Sequence, residues 1–109
     1  MKNYVEQGAV LTLTAPSGGV TSGKGVKVGA IIAIASTTQL AGVAFEGAVA
    51  GVFDVDKASG AWAEGDVLYW DDTAKNFTKT TTSNTKCGYA VSAAQSGDTT
   101  GRMRLVASI

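Results

Sequence analysis

The spacing with the most chemistry in it runs from Gly18 to Lys24, GGVTSGK, and fits the G-x-x-x-x-G-K core of a phosphate-binding loop. Such a loop works because successive backbone N–H groups and the N-terminus of the next helix point at phosphates, while the Lys reaches the outermost ones and a Ser or Thr hydroxyl holds magnesium. Here Gly25 stands where that hydroxyl belongs. The run that follows, VKVGAIIAIA from Val26 to Ala35, is rich in Val and Ile and predicts a strand where the motif needs a helix. VFDVD, Val52 to Asp56, alternates apolar and acidic residues, whereas a magnesium-binding Asp normally ends a continuous buried run. A nucleotide-binding ATPase or recombinase-like protein using the loop from Gly18 to Lys24 is therefore the alternative. The residues favour a glycine-rich β-turn with Lys24 solvated at its tip.

Other candidate groups carry less. Asp54 and Asp56 have the D-x-D spacing of a calcium loop, but Ala58 takes the third ligand's place and no Glu closes a twelve-residue loop. They are expected to be solvated carboxylates that guard a strand against stray pairing. Asp71 and Asp72 are adjacent at a predicted turn and point apart, which suits turn chemistry better than a paired acid and base. Arg102 and Arg104 could hold a phosphate, yet in a chain of zero net charge they are expected to be cross-strand ion-pair partners. Cys87 is the single cysteine and histidine is absent, so a thiol nucleophile lacks its usual base and a half-buried strand position is the better account. No residue is assigned a catalytic, metal-binding or cofactor-binding role, and no enzyme activity is expected.

The elements that must carry these groups are short. Gly, Ser, Thr and Asp punctuate the chain at close intervals, and no run of ten or more residues keeps a helical period, so an all-β single domain, a small barrel or sandwich, is predicted. AVLTLTA (residues 9–15) places Leu11 and Leu13 on one face. In residues 42–56, Phe53 and Val55 point inward and Asp54 and Asp56 outward. VLYW, DDTAK and NFTKT form a hairpin signal, preceded by a turn region that contains Trp62. KCGYAVSAA (residues 86–94) and RMRLVAS (residues 102–108) close the domain, with Met103, Leu105 and Ala107 on the core face of the last strand. TKTTTSNTK (residues 78–86) reads as a solvated loop. Residues 1–8 form an N-terminal arm and 9–109 the β-domain.

Composition bounds the partners. One domain of 109 residues buries more than about 60% of its unfolded surface without disulfides. Its charged fraction of 17% is low beside the roughly 25% usual for soluble domains, so part of its surface is expected to meet protein. Nine basic and nine acidic residues, with no basic block, argue against nucleic acid as a partner. The N-terminus MKNYVEQGAV has no apolar core of seven or more residues, so no signal peptide is expected. No segment approaches the roughly 20 apolar residues of a membrane span, so no membrane association is expected, and the single cysteine favours synthesis inside the cell. The neighbours Tyr69 and Trp70 must face opposite sides of a strand, and Ile31, Ile32 and Ile34 make their strand apolar on both faces. Either the sheet closes on itself or a subunit interface covers it, and these five residues are the candidate oligomer contacts.

Over nearly its whole length the chain resembles the small phage head decoration, or cement, proteins of the DUF2190 type. The likeness lies in MKNYVEQGAVLTLTAPSGGVTSGKGVKVG, GVFDVDKASGAWAEGDVLYWDDTAKNFT and GYAVSAAQSGDTTGRMRL, long stretches in the same order. The resemblance implies a β-rich homotrimer that binds the outside of an assembled phage or prophage capsid and stiffens it. Its partner would be the major capsid protein, its location the virion exterior, and its site of synthesis the bacterial host cytoplasm. No catalytic residues come with it. Met1, Lys2, Asn3, Tyr4 and Val5 are the expected capsid contacts, with Tyr4 as the anchor. A virion-displayed module for carbohydrate or host surface, using an exposed Trp62 or Trp70 as a stacking platform, is a further alternative.

Overall fold

The computed structural model describes residues 10–106. Alternating apolar and polar residues build nine strands: β1 (Val10–Thr14), β2 (Gly25–Val28), β3 (Ile31–Ala35), β4 (Ala44–Ala48), β5 (Gly51–Asp56), β6 (Val67–Asp71), β7 (Asn76–Thr78), β8 (Thr85–Ala90) and β9 (Thr100–Leu105). They form a four-stranded sheet in the order β1-β4-β3-β2 and a five-stranded sheet in the order β5-β9-β8-β6-β7. All the strand pairs are antiparallel. The chain completes the first sheet before it begins the second, and it changes sheets at Gly51, whose φ of 131° is a conformation L side chains avoid. The five-stranded sheet curls back on itself. A parallel bridge between Lys57 and Phe77, with the Ala58 N–H donating to the Phe77 carbonyl at 2.9 Å, brings the end of β5 to β7.

The predicted single strand over residues 26–35 is instead the β2–β3 hairpin. Val28 pairs with Ile31, which leaves the two-residue turn Gly29-Ala30, and Gly29 has a φ of 60°. A glycine with positive φ at the first turn position matches the twist of the flanking strands, which explains a glycine inside so apolar a run. Both faces of β3 are covered, as its apolarity requires, and both within this one chain. Ile32 and Ile34 join Trp70, Phe77, Leu68, Met103 and Leu105 in the core under the five-stranded sheet. Ala33 and Ala35, with Ile31 beside them, join Ala15, Val20, Val26, Phe45 and Val49 in a second core on the other side.

The hairpin predicted around residues 67–80 is β6 and β7, with Trp70 opposite Phe77 and their rings edge to face at a centroid distance of 4.9 Å. β8 ends at Ala90, short of the predicted Ala94. The Val91 N–H still donates to the Arg102 carbonyl at 3.1 Å, and the chain then leaves the sheet. Trp62, placed by its sequence in a turn, is buried: its backbone bridges Ala94, and its ring lies against Gly101, where a Cβ would collide with it. Met103 and Leu105 face the core and Arg102 and Arg104 face outward, as their alternation predicts.

Candidate functional site

The glycine-rich loop is held by its own backbone. Gly18, Gly19 and Gly23 take φ values of 94°, 74° and 82°, which fold the segment into successive turns. The Gly19 N–H donates to the Pro16 carbonyl, Val20 to Gln39, Gly23 to Ala35 and Lys24 to Thr21, at 2.8–3.0 Å. The Ser22 N–H donates to the Thr38 hydroxyl at 3.0 Å. A phosphate cradle would need these groups, and five of the seven N–H groups from Gly18 to Lys24 already have an acceptor. Strand β2 follows, so no helix dipole points into the loop. Gly25 is glycine for a packing reason: a Cβ there would sit 2.6 Å from Trp70 Cζ3. The place of a magnesium-binding hydroxyl is thus filled by the Trp70 ring.

Lys24 is solvent-facing but not free, since its Nζ lies 3.0 Å from Asp56 Oδ2 across the gap between the sheets. Beside this pair is an open hollow of about 480 Å³, walled by the loop and β2 on one side and by Asp56, Asp72 and Lys75 on the other. Its cations and anions largely neutralise one another. Lys75 Nζ is 3.0 Å from Asp72 Oδ1, which also accepts from the Trp70 indole N–H at 3.0 Å. That indole donor, then Lys75, holds the Asp72 carboxyl below the usual carboxylate range.

The remaining carboxylates are structural in the same way. Asp54 receives Arg102 through two hydrogen bonds of 2.9 and 3.2 Å, and the hydrogen bond lowers its pKa. Asp56 faces Lys24, so the expected guard residues of β5 are each ion-paired rather than only solvated. Asp66 accepts from the Ala63 N–H at 2.7 Å, the main reason its carboxyl is held low, with Lys79 second. Asp71 accepts from the Thr73 and Ala74 N–H groups, the turn role its sequence predicted. Among the described residues no three of Asp, Glu, Cys and His come together as metal ligands. Cys87 is buried, not half-buried, and burial pushes its thiol up to about 12, which leaves almost no thiolate at neutral pH.

Neither tryptophan is a stacking platform. Trp62 is 4% and Trp70 1% exposed, so the carbohydrate reading loses both of its proposed surfaces. The large apolar side chains that do reach solvent are Val10, Leu40, Val43, Val52 and Tyr89. None of the five stands out from composition or motif. The alternation of Val52 with Phe53 and of Tyr89 with Ala90 was the available signal, since it puts Val52 and Tyr89 on the outward face.

A family model for phage cement proteins matches residues 5–105. The chain belongs to the phage cement protein family. Comparison with curated proteins gave no match. Membership of the cement family supports a capsid decoration role and gives the groups above their context, a β scaffold whose charges serve mainly to hold its own turns and strands. Of the candidate oligomer contacts, Ile32, Ile34 and Trp70 lie in the cement domain's own core, while Ile31 and Tyr69 are half-buried and keep surface to offer. Met1, Lys2, Asn3, Tyr4 and Val5 lie outside the described residues.

Proposed function

We propose that the chain binds the outer surface of an assembled phage head and stabilises it, as a homotrimer whose partner is the major capsid protein. The observation that carries this is the cement family match across residues 5–105, which spans every described strand. A glycine-rich loop with most of its N–H groups already bonded, and a ring where a magnesium ligand would stand, support a structural rather than a nucleotide-dependent role. A ring of three would match the threefold and quasi-threefold points of a capsid lattice. Cosedimentation with capsids before and after expansion tests the reading. The chain should pellet with capsids and raise their resistance to heat or dilution, and failure to bind either capsid state would refute it.

In this reading residues 1–5 order against coat protein, with the Tyr4 ring buried and its hydroxyl hydrogen-bonded. Three linked arms bind with an avidity roughly 10²–10⁴ above that of one arm. Deleting residues 1–7 should leave the circular dichroism spectrum and the oligomer intact while capsid binding weakens strongly. Unchanged capsid affinity would place the docking surface on the β-domain instead.

A further inference from the structure

The exposed large apolar side chains fall into two groups on different sheets, each around a charge of opposite sign. On the outward face of the five-stranded sheet, Arg104 of β9 is in register with Val52 of β5 on one side and Tyr89 of β8 on the other. Register partners share a face, so the three side chains make one row across neighbouring strands, roughly 10 Å from end to end. Val52 is 56% and Tyr89 39% exposed. Arg104 is exposed and takes part in none of the ion pairs among the described residues, unlike Arg102 two places earlier.

On the four-stranded sheet, the β1–β4 pair carries Glu46 opposite Thr12 and Val10 opposite Ala48 on the face it shares with Ile34 of β3. Ala48 packs against the core under the five-stranded sheet, whereas Val10, Thr12 and Glu46 stay exposed. Glu46 is exposed, and within the described residues it has only the Thr12 hydroxyl, at 2.9 Å, as a donor. Val10 (43% exposed) lies at one end of this face, and the turn that leads into β4 at the other end exposes Leu40 (80%) and Val43 (42%). β1 is also an edge strand of its sheet.

We propose that these two surfaces are the two halves of one self-contact: the Val52–Arg104–Tyr89 row of one copy seats on the β1–β4 face of the next, with Arg104 meeting Glu46. The occupant is a second copy because the charge missing from each surface is present on the other, and each charge is flanked by apolar groups that its opposite number can cover. Because the two surfaces differ, the contact is head to tail, and the proposed arrangement includes a rotation that closes into a ring rather than running on as a filament. This deepens the decoration reading, on which it rests for the use of the ring.

The test is charge reversal read by sedimentation equilibrium at micromolar concentration, with circular dichroism to verify the fold and capsid cosedimentation as a separate arm. Arg104→Glu and Glu46→Arg should each keep the β spectrum and raise the dissociation constant of the oligomer at least about tenfold, because like charges then face each other. The double variant Arg104→Glu/Glu46→Arg should restore it. A wild-type monomer of 11.0 kDa, a mass that grows without limit as concentration rises, or single variants that oligomerise like wild type would each overturn the self-contact. Variants that keep the oligomer but no longer pellet with capsids would assign Arg104 or Glu46 to coat protein and overturn it too. An oligomer that obeys the charge swap but ignores capsids supports the self-contact while the decoration reading fails.

Discussion

The two sheets bury very different things. The core under the five-stranded sheet holds the largest fully buried side chains, Trp70, Phe77, Leu68, Met103 and Leu105, and Trp62 packs there as well. The second core, on the far side of β3, is lined by Ala15, Ala33, Ala35, Val20 and Val26, with Phe45 as its one large ring and Leu11 and Leu13 only half-buried over it. Burial stabilises in proportion to apolar area, about 25 cal/mol per Å². The five-stranded half therefore holds most of the folding energy. The four-stranded half is the thinner layer. Exposed apolar side chains occur on both halves, Val52 and Tyr89 on the five-stranded sheet and Val10 on the four-stranded one, and β3 belongs to both cores.

The largest expected effect comes from emptying the thick core. Trp70→Ala should cost about 3–5 kcal/mol, because it leaves a cavity beside Phe77 and removes the indole donor to Asp72. Leu13→Ala, in the half-buried lining of the thin core, should cost only about 1 kcal/mol. Urea unfolding of both variants measures the contrast, and equal losses would mean that the halves do not differ as described.

Gly25→Ser comes next and sharpens the comparison at the joint between the halves. It completes the phosphate-loop spelling, yet its side chain would meet the Trp70 and Phe77 rings. A loss of about 1–3 kcal/mol is expected, with no rise in melting temperature on adding magnesium ATP. Stabilisation by the nucleotide would contradict the packing account of Gly25.

Acid should act on the thick half first. Asp54, Asp66 and Asp72, the carboxyls held below their ordinary value of 3.8, all belong to the five-stranded half or its turns. Their folded pKa values are lower than their unfolded ones, so the unfolded chain binds protons first as pH falls. The stability they contribute is present above 3.8 and is lost as pH falls through the folded values. Hydrogen exchange between pH 5 and pH 3 should show protection declining in β5, β6 and β9 before β3 and β4. The reverse order would count against it.

The smallest effect is expected from Lys24→Ala. Its ion pair with Asp56 bridges the sheets but is solvent-exposed on both sides, and such pairs contribute about 0–1 kcal/mol. A thermal scan should move by no more than a few degrees, and the oligomer and capsid pelleting should not change. A large loss of stability would make this pair a main tie between the halves.

Local physics made much of the domain legible in its residues. A side chain alternates faces along a strand whatever the partner strand is, so the inward set Phe53, Val55, Met103 and Leu105, the outward Arg102 and Arg104, and the turn role of Asp71 followed from order along the chain. So did the need to cover Ile31 to Ala35 twice. What covers them did not follow. That one face of β3 meets Trp70 and Phe77 and the other meets Phe45 and Val20 depends on strands brought from far along the chain. Trp62 shows the same limit: a turn residue by its neighbours, it is buried because Gly101, nearly forty residues later, leaves room for its ring. Gly25 is the clearest case. In the sequence it interrupts a phosphate-loop motif, and only the folded chain supplies the reason, an aromatic ring from the other sheet in the space a side chain would need. Periodicity is a property of neighbours in sequence, whereas packing is a property of neighbours in space, and in an all-β domain most of those are distant in the chain.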